Sequence, residues 1–256
     1  IAHVTDGGIF SNSSIRQQGS GDVWVKDGSG NVIPGSIGCL LDCNIPESAS
    51  FKPGATDLCA GANPPTACPS LFIQPLAIPQ PACAGTSQDT ESSGTIDPGV
   101  YDGFDVKNGD TLILNPGLYC IKGGIGVKNG GTLKSNPGGV TIFLMNPGGD
   151  YDVNAGVVTL SAPATAAQVQ NGSIKGVVLF AADGNSNEIK ITGGNGTYNG
   201  MIYTRDGGIY ARGNGIESLT GQMIGKYIDF AGGNGDSITF FDNTDFGTPP
   251  MLDLLR

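Results

Sequence analysis

Carboxylates are the side chains whose number and grouping most directly suggest chemistry. Asp97, Asp102, Asp105 and Asp110 fall in one stretch, and Asp236, Asp242 and Asp245 in another. Two carboxylates flanking a sugar do acid–base or nucleophilic work on a glycosidic bond, and many parallel β-helices act on acidic polysaccharides. Most of these aspartates, however, sit beside Gly, Asn or Pro, where Asp is favoured because its side chain caps turns. Neither group has a lysine or arginine recurring beside it as a lyase base would, although Lys190, Arg205 and Arg212 are spaced to share a face. His3 is the only histidine and has no partner arrangement for a catalytic triad. The expectation is a chain without catalytic residues.

No metal or cofactor site stands out either. The six cysteines, Cys39, Cys43, Cys59, Cys68, Cys83 and Cys120, include no Cys-x-x-Cys pair, so zinc lacks its usual ligands. Gly232-Gly233-Asn234-Gly235-Asp236 approaches the calcium-binding nonapeptide repeat but carries its Asp one place early and is not in tandem. An even number of cysteines, five of them within one loop-rich stretch, predicts disulfides of open connectivity and an oxidising compartment, extracellular or at the cell surface. Asn12-Ser13-Ser14, Asn171-Gly172-Ser173 and Asn195-Gly196-Thr197 satisfy the glycosylation sequon but read as surface turns. Trp24, Tyr101, Tyr119, Tyr203 and Tyr210 could line a sugar-binding face, though aromatics at a fixed spacing more often stack inside a core.

The elements that must position these residues are read from glycine and from a repeat. Of 256 residues 43 are glycine and 16 proline, and only 14% are charged, a composition of turns and buried strands. The formal charge is -10, and the 13 Lys and Arg are scattered singly, which argues against nucleic acid as a partner. No apolar run is long enough to span a bilayer. The chain opens on Ile1 rather than Met, which fits an export signal or anchor removed from, or lying ahead of, the sequence. Val106-Lys107-Asn108-Gly109, Thr111-Leu112 and Asn115-Pro116-Gly117 recur 21 positions later as Val127-Lys128-Asn129-Gly130, Thr132-Leu133 and Asn136-Pro137-Gly138. Gly194-Asn195-Gly196, Gly213-Asn214-Gly215 and Gly233-Asn234-Gly235 continue a spacing of about 20. Short β runs separated by Gly/Asn corners, which tolerate a left-handed backbone, describe the coils of a parallel β-helix.

The predicted fold is therefore all-β: one right-handed parallel β-helix with coils of about 20 residues and a Pro/Cys-rich insertion. Residues 1–38 read as amino-terminal strands, 39–95 as a disulfide-stapled covering flap rich in proline, 96–246 as regular coils, and 247–256 as a cap or docking tail. An open solenoid end is an unpaired sheet edge over exposed core and must be covered. Ile1, Val4, Ile9 and Phe10 at one terminus, and Met251, Leu252, Leu254 and Leu255 at the other, are the candidates to cap it or to dock on a neighbouring molecule.

Pro98-Gly99-Val100-Tyr101, Pro116-Gly117-Leu118-Tyr119 followed by Gly123-Gly124, Val140-Thr141-Ile142-Phe143-Leu144, Leu160-Ser161-Ala162-Pro163 and Gly200-Met201-Ile202-Tyr203 carry a resemblance over Leu76 to Phe241. In order and spacing the chain resembles the extracytoplasmic β-helical region of TadG-like and related Tad/Flp-pilus-associated bacterial surface proteins. Members usually carry a membrane helix ahead of this region, and residues 39–75 look like a lineage-specific insertion. The resemblance implies a cell-surface structural role without catalytic residues. It leads to the expectation of a non-enzymatic subunit of a surface appendage or extracellular filament, whose partners are further copies of itself or pilus components. A carbohydrate-binding or carbohydrate-active β-helix is the alternative, and an ice-binding or adhesin solenoid the third. Ice-binding solenoids present a flat regular face, and no Thr-x-Thr ladder recurs here at coil spacing.

Overall fold

A computed structural model describes residues 80–213 and 216–231, together with the backbone of seven short strands nearer the amino terminus. Those strands are Ala2–Val4 (β1), Ile9–Ser11 (β2), Ile15–Gln18 (β3), Asp22–Val25 (β4), Ile37–Cys39 (β5), Ser50–Lys52 (β6) and Thr56–Asp57 (β7). Further on come Gly94–Ile96 (β8), Gly99–Tyr101 (β9), Phe104–Lys107 (β10), Thr111–Leu114 (β11), Gly117–Ile121 (β12), Gly124–Lys128 (β13) and Thr132–Ser135 (β14). Val140–Leu144 (β15), Asp150–Ser161 (β16), Val177–Ala181 (β17), Ile189–Asn199 (β18), Met201–Arg212 (β19), Ser218–Thr220 (β20) and Met223–Ala231 (β21) complete the set. The described ladders are parallel, and each strand pairs with strands one coil away rather than with its chain neighbours, which makes the molecule a β-solenoid.

Each coil presents three faces. The first is built by β8, β11, β14, the later parts of β16 and β18, and β20. The second is built by β9, β12, β15, β17 and the opening parts of β19 and β21. The third is built by β10, β13, the opening parts of β16 and β18, and the later parts of β19 and β21. The 21-residue sequence repeat is the register: Phe104 pairs with Ile125, Thr111 with Thr132, and Asn136 bonds Asn115 at a separation of 21. Coil length is not uniform, however, and averages about 23 residues rather than 20. Ser161 and Asn199 are stacked neighbours 38 positions apart, because an excursion over 162–176 is inserted between the first and second faces.

The corners follow the residues that tolerate them. Asn108 and Gly109, then Asn129 and Gly130, adopt φ of 55°, 86°, 51° and 78° between the third and first faces. The interior is one apolar column in which Leu112, Leu133, Val158, Tyr119, Ile142, Leu179, Val106, Val127 and Val153 are fully buried. Each such side chain contributes about 1.5–3 kcal/mol relative to exposure.

The amino-terminal strands sit at the far end of this stack. Ile9, Phe10 and Ser11 pair in parallel with Met223, Ile224 and Gly225, and Ile15 to Gln18 pair with Ile228 to Ala231. Strand β2 carries β5 on its other edge, and β5 carries β7. Strands β1, β4 and β6 form their own parallel ladder. The first coils of the chain thus continue the solenoid beyond its last described coil.

Candidate functional site

Stacked coils present their outward side chains on three faces, and these faces are the places where the described residues can meet another molecule. On the second face the outward side chains are apolar and buried. Val100, Cys120, Phe143, Phe180, Tyr203 and Ile224 form one register column, in which the Phe143 and Phe180 rings are tilted against each other and Phe180 meets Tyr203 edge to face, both at ring separations of 5.3 Å. Part of their cover is a strap. Gln80 accepts a hydrogen bond from Asp183 N, Cys83 is disulfide-bonded to Cys120, and Gln88 and Glu91 bridge to Tyr101 and Phe104 of the first coil. Ile174, in the 162–176 excursion, packs on the same cluster.

The third face is charged but internally neutralised. Lys107 pairs with Asp105 at 2.6 Å, Lys128 with Asp152 at 2.8 Å and Lys190 with Glu188 at 3.7 Å. Tyr227 donates to Glu188, Arg212 lies 4.3 Å above the Tyr210 ring, and Arg16 pairs with Asp229. The three lysine pairs lie at the surface and are individually worth little, but together they balance the charge of the described part of this face.

Among the described residues the first face is neither covered nor neutralised. Three columns run along it: Thr111, Thr132, Val157 and Asn195; Thr95, Ile113, Lys134, Thr159 and Thr197; and Asp97, Asn115, Asn136, Ser161, Asn199 and Thr220. Polar contacts tie the last column together. Asn115 donates to Asp97 at 2.7 Å, Asn136 to Asn115 at 2.8 Å, and Asn199 to Ser161 at 3.0 Å. No row reads Thr-x-Thr, yet the columns carry threonine on coil after coil, a feature sequence reading missed. Its signal was hidden because the insertion at 162–176 breaks the constant period that would align Thr159 with Thr197 and Val157 with Asn195.

The structure disperses the residues the sequence grouped. Asp97, Asp102, Asp105 and Asp110 belong to one circuit of the solenoid but point from different sides: Asp97 from the first-to-second corner, Asp102 from the second-to-third corner, Asp105 from the third face, and Asp110 from the turn before β11. Neighbours in sequence are therefore not neighbours in space, and no paired-carboxylate site forms from them. Among the described residues no group of His, Cys, Asp and Glu is arranged to hold a metal ion. Lys190 and Arg212 share the third face, whereas Arg205 turns aside to Asp183 and Asp206 at 3.0 and 3.2 Å.

The aromatic sugar face is corrected likewise. Tyr101 and Tyr119 are buried and stacked on each other at 6.0 Å, Tyr203 is in the covered column, and Tyr210 is held under Arg212. Asn171 is an exposed turn residue with φ of 47°, and Asn195 is exposed on the first face. Of the cysteines, Cys83 and Cys120 are joined, and the strap they fasten lies at the end of the expected flap. Cys39 is placed on β5 by its backbone, and Cys43, Cys59 and Cys68 lie outside the described residues. His3 and Trp24 are paired by backbone across β1 and β4, as are Val4 and Val25. Ile9 and Phe10 have both strand edges occupied within the chain. Ile1, Asn12, Asp236, Asp242, Asp245, Met251, Leu252, Leu254 and Leu255 lie outside the described residues.

Fold and surfaces together define the class: an all-β parallel solenoid with one apolar face strapped down, one face of paired charges and one open face of hydroxyl and amide groups. Compared with models of protein families, with curated proteins and with solved structures, the chain finds no match in any of the three. The Tad-associated resemblance rests on the quoted residues alone.

Proposed function

We propose that this chain is a non-enzymatic structural protein of the bacterial exterior, a subunit of a surface appendage or extracellular filament of the kind the Tad-associated resemblance implies. The observation that carries this reading is the joint between β21 and the pair β2 and β3. There the solenoid accepts coils that do not follow in sequence, through the same parallel ladder that joins every other pair of coils. A surface that accepts a non-contiguous coil is the surface through which solenoids add to one another.

In this reading the winding is right-handed, as parallel crossovers are. The Cys83–Cys120 disulfide suits an oxidising location outside the cytoplasm. The apolar termini, Ile1 and Val4 with Met251, Leu252, Leu254 and Leu255, contribute contacts at the ends. Partners are further copies of the chain or other surface components. Sedimentation velocity over a range of concentrations tests the reading: mass should grow with concentration without reaching a closed oligomer, and a single monomeric species throughout would sink it.

The open first face favours a second reading, an adhesin or carbohydrate-binding scaffold, since Thr111, Thr132, Thr159 and Asn195 repeat hydrogen-bonding groups at coil spacing. Binding and cleavage screens against acidic and neutral polysaccharides, with thermal hysteresis for ice, separate these possibilities. Saturable binding lost on placing arginines at Thr132 and Thr159 would move the function to this face.

A further inference from the structure

The joint at β21 has a property that deepens the filament reading, on which the following rests. We infer that β2 and β3 are exchanged between copies, so that the amino-terminal coils of one molecule stack on β21 of the next and Arg16 of one copy pairs with Asp229 of another.

Three observations lead to this. First, the opposite end of the solenoid is closed on two of its three faces. Gln88 N donates to Val100 O and Asp102 N to Gln88 O, each at 2.8 Å, while Glu91 N donates to Gly103 O and Asp105 N to Glu91 O at 3.1 and 2.9 Å. Among the described residues β8 alone keeps a free edge there, so simple end-to-end stacking lacks a fully open second end to meet the first.

Second, the joint is non-local. The chain leaves the amino-terminal coils at β7, beyond β5 and β2, and is next described at Gln80 beside Asp183, back along the stack. The strands that meet at the joint, Ile9–Ser11 and Ile15–Gln18 against Met223–Ala231, are thus far apart along the chain. Stacking in trans reproduces every contact made in cis, the condition under which exchange of an element costs little. Because each copy would donate at one place and accept at another, the contact is heterologous and propagates into a linear polymer rather than a closed ring.

Third, the joint carries one charged pair of unequal exposure. Asp229 is 4% exposed, and its Oδ1 is buried with no hydrogen-bond partner among the described residues. Its Oδ2 is held by Arg16, whose side chain is 53% exposed. A buried carboxylate held by a cation selects strongly against a coil that brings the wrong charge, because a like charge there is both repelled and desolvated. Arg16 thus acts as the recognition residue of the donated coils.

Charge reversal tests this in a way that separates cis from trans. Arg16→Asp alone and Asp229→Arg alone should each cut polymer mass by about tenfold or more. An equimolar mixture of the two variants should restore it, since each then offers the other an opposite charge. The double variant should also polymerise by itself. Restoration in the double variant without restoration in the mixture would overturn the exchange and place the joint within single chains. Polymerisation of wild type and both single variants alike would also overturn the exchange while leaving the filament reading intact. Wild type that never polymerises would remove both. Should the single variants fail to fold, cross-linking of mixed heavy-isotope and light wild-type chains decides: heavy-to-light links between residues 15–18 and 226–231 in polymer support exchange, and links within one isotope alone refute it.

Discussion

Tyr151 and Tyr198 meet hydroxyl to hydroxyl at 3.0 Å inside the sealed column, and Tyr119 donates to the carbonyls of Ile96 and Asn115 at 2.9 and 2.8 Å. Burial raises the pKa of all three above the ordinary tyrosine value, and Tyr227 is pushed up to about 12 by burial and by its bond to Glu188. A folded-state pKa above the unfolded one favours the neutral phenol in the fold. Stability is therefore undiminished below the unfolded value near 10 and falls as pH rises beyond it. In an alkaline titration followed by tyrosinate absorbance, these tyrosines should ionise only together with loss of the β signal in circular dichroism. Smooth ionisation of all seven tyrosines with the fold intact would contradict the burial described. Asp150 shows the same sign for an acid: burial first, and then Asp152, raise its pKa. Its charge is a liability at neutral pH that disappears as it protonates. Asp150→Asn should raise the unfolding free energy at pH 7 slightly, by roughly 0.5 kcal/mol or less since the group lies at the surface, with the gain in thermal melts shrinking toward pH 4.

Within the elements, adjacent glycines distinguish backbone strain from lack of space. Gly130 has φ of 78° with nothing near a would-be Cβ, whereas a Cβ on Gly131 would lie 2.3 Å from the carbonyl oxygen of Val106 in the coil beneath. Gly130→Ala should cost about 1 kcal/mol. Gly131→Ala should cost more, toward the top of the roughly 1–3 kcal/mol range of overpacking, because a backbone atom cannot yield. Urea midpoints at unchanged slope would check the order, and equal midpoints would show that the coils are less tightly apposed than described. The strap gives the third test at this scale. Replacing Cys83 and Cys120 by serine should lower stability by about 2–4 kcal/mol and open the chain near residues 80–86 to protease, while hydrogen exchange in β12 to β18 stays slow. The repeat from Val106 to Gly138 was legible because register there equals sequence period: Thr111 falls on Thr132 and Val106 on Val127. The threonine and asparagine columns were not, since Ser161 reaches Asn199 only after the inserted excursion. The aspartates from Asp97 to Asp110, read as turn residues, are dispersed because one circuit of a solenoid carries consecutive residues to different sides.

For the whole molecule, the feature least visible in the sequence is the return of the amino-terminal strands to the carboxy-terminal coil. Nothing local in Ile9-Phe10-Ser11 marks Met223-Ile224-Gly225 as its partner, because a parallel ladder imposes only alternation on each strand, and many short apolar runs here satisfy it. The proposed exchange between copies makes use of the same indifference. Among the described residues the second face is strapped and the charges of the third face are paired, which directs attention to the first face and the β21 joint. The proposed filament role rests on the joint. Electron microscopy of the purified full chain at increasing concentration tests it most directly: unbranched fibres one solenoid wide are predicted, and uniformly monomeric particles at every concentration would contradict it.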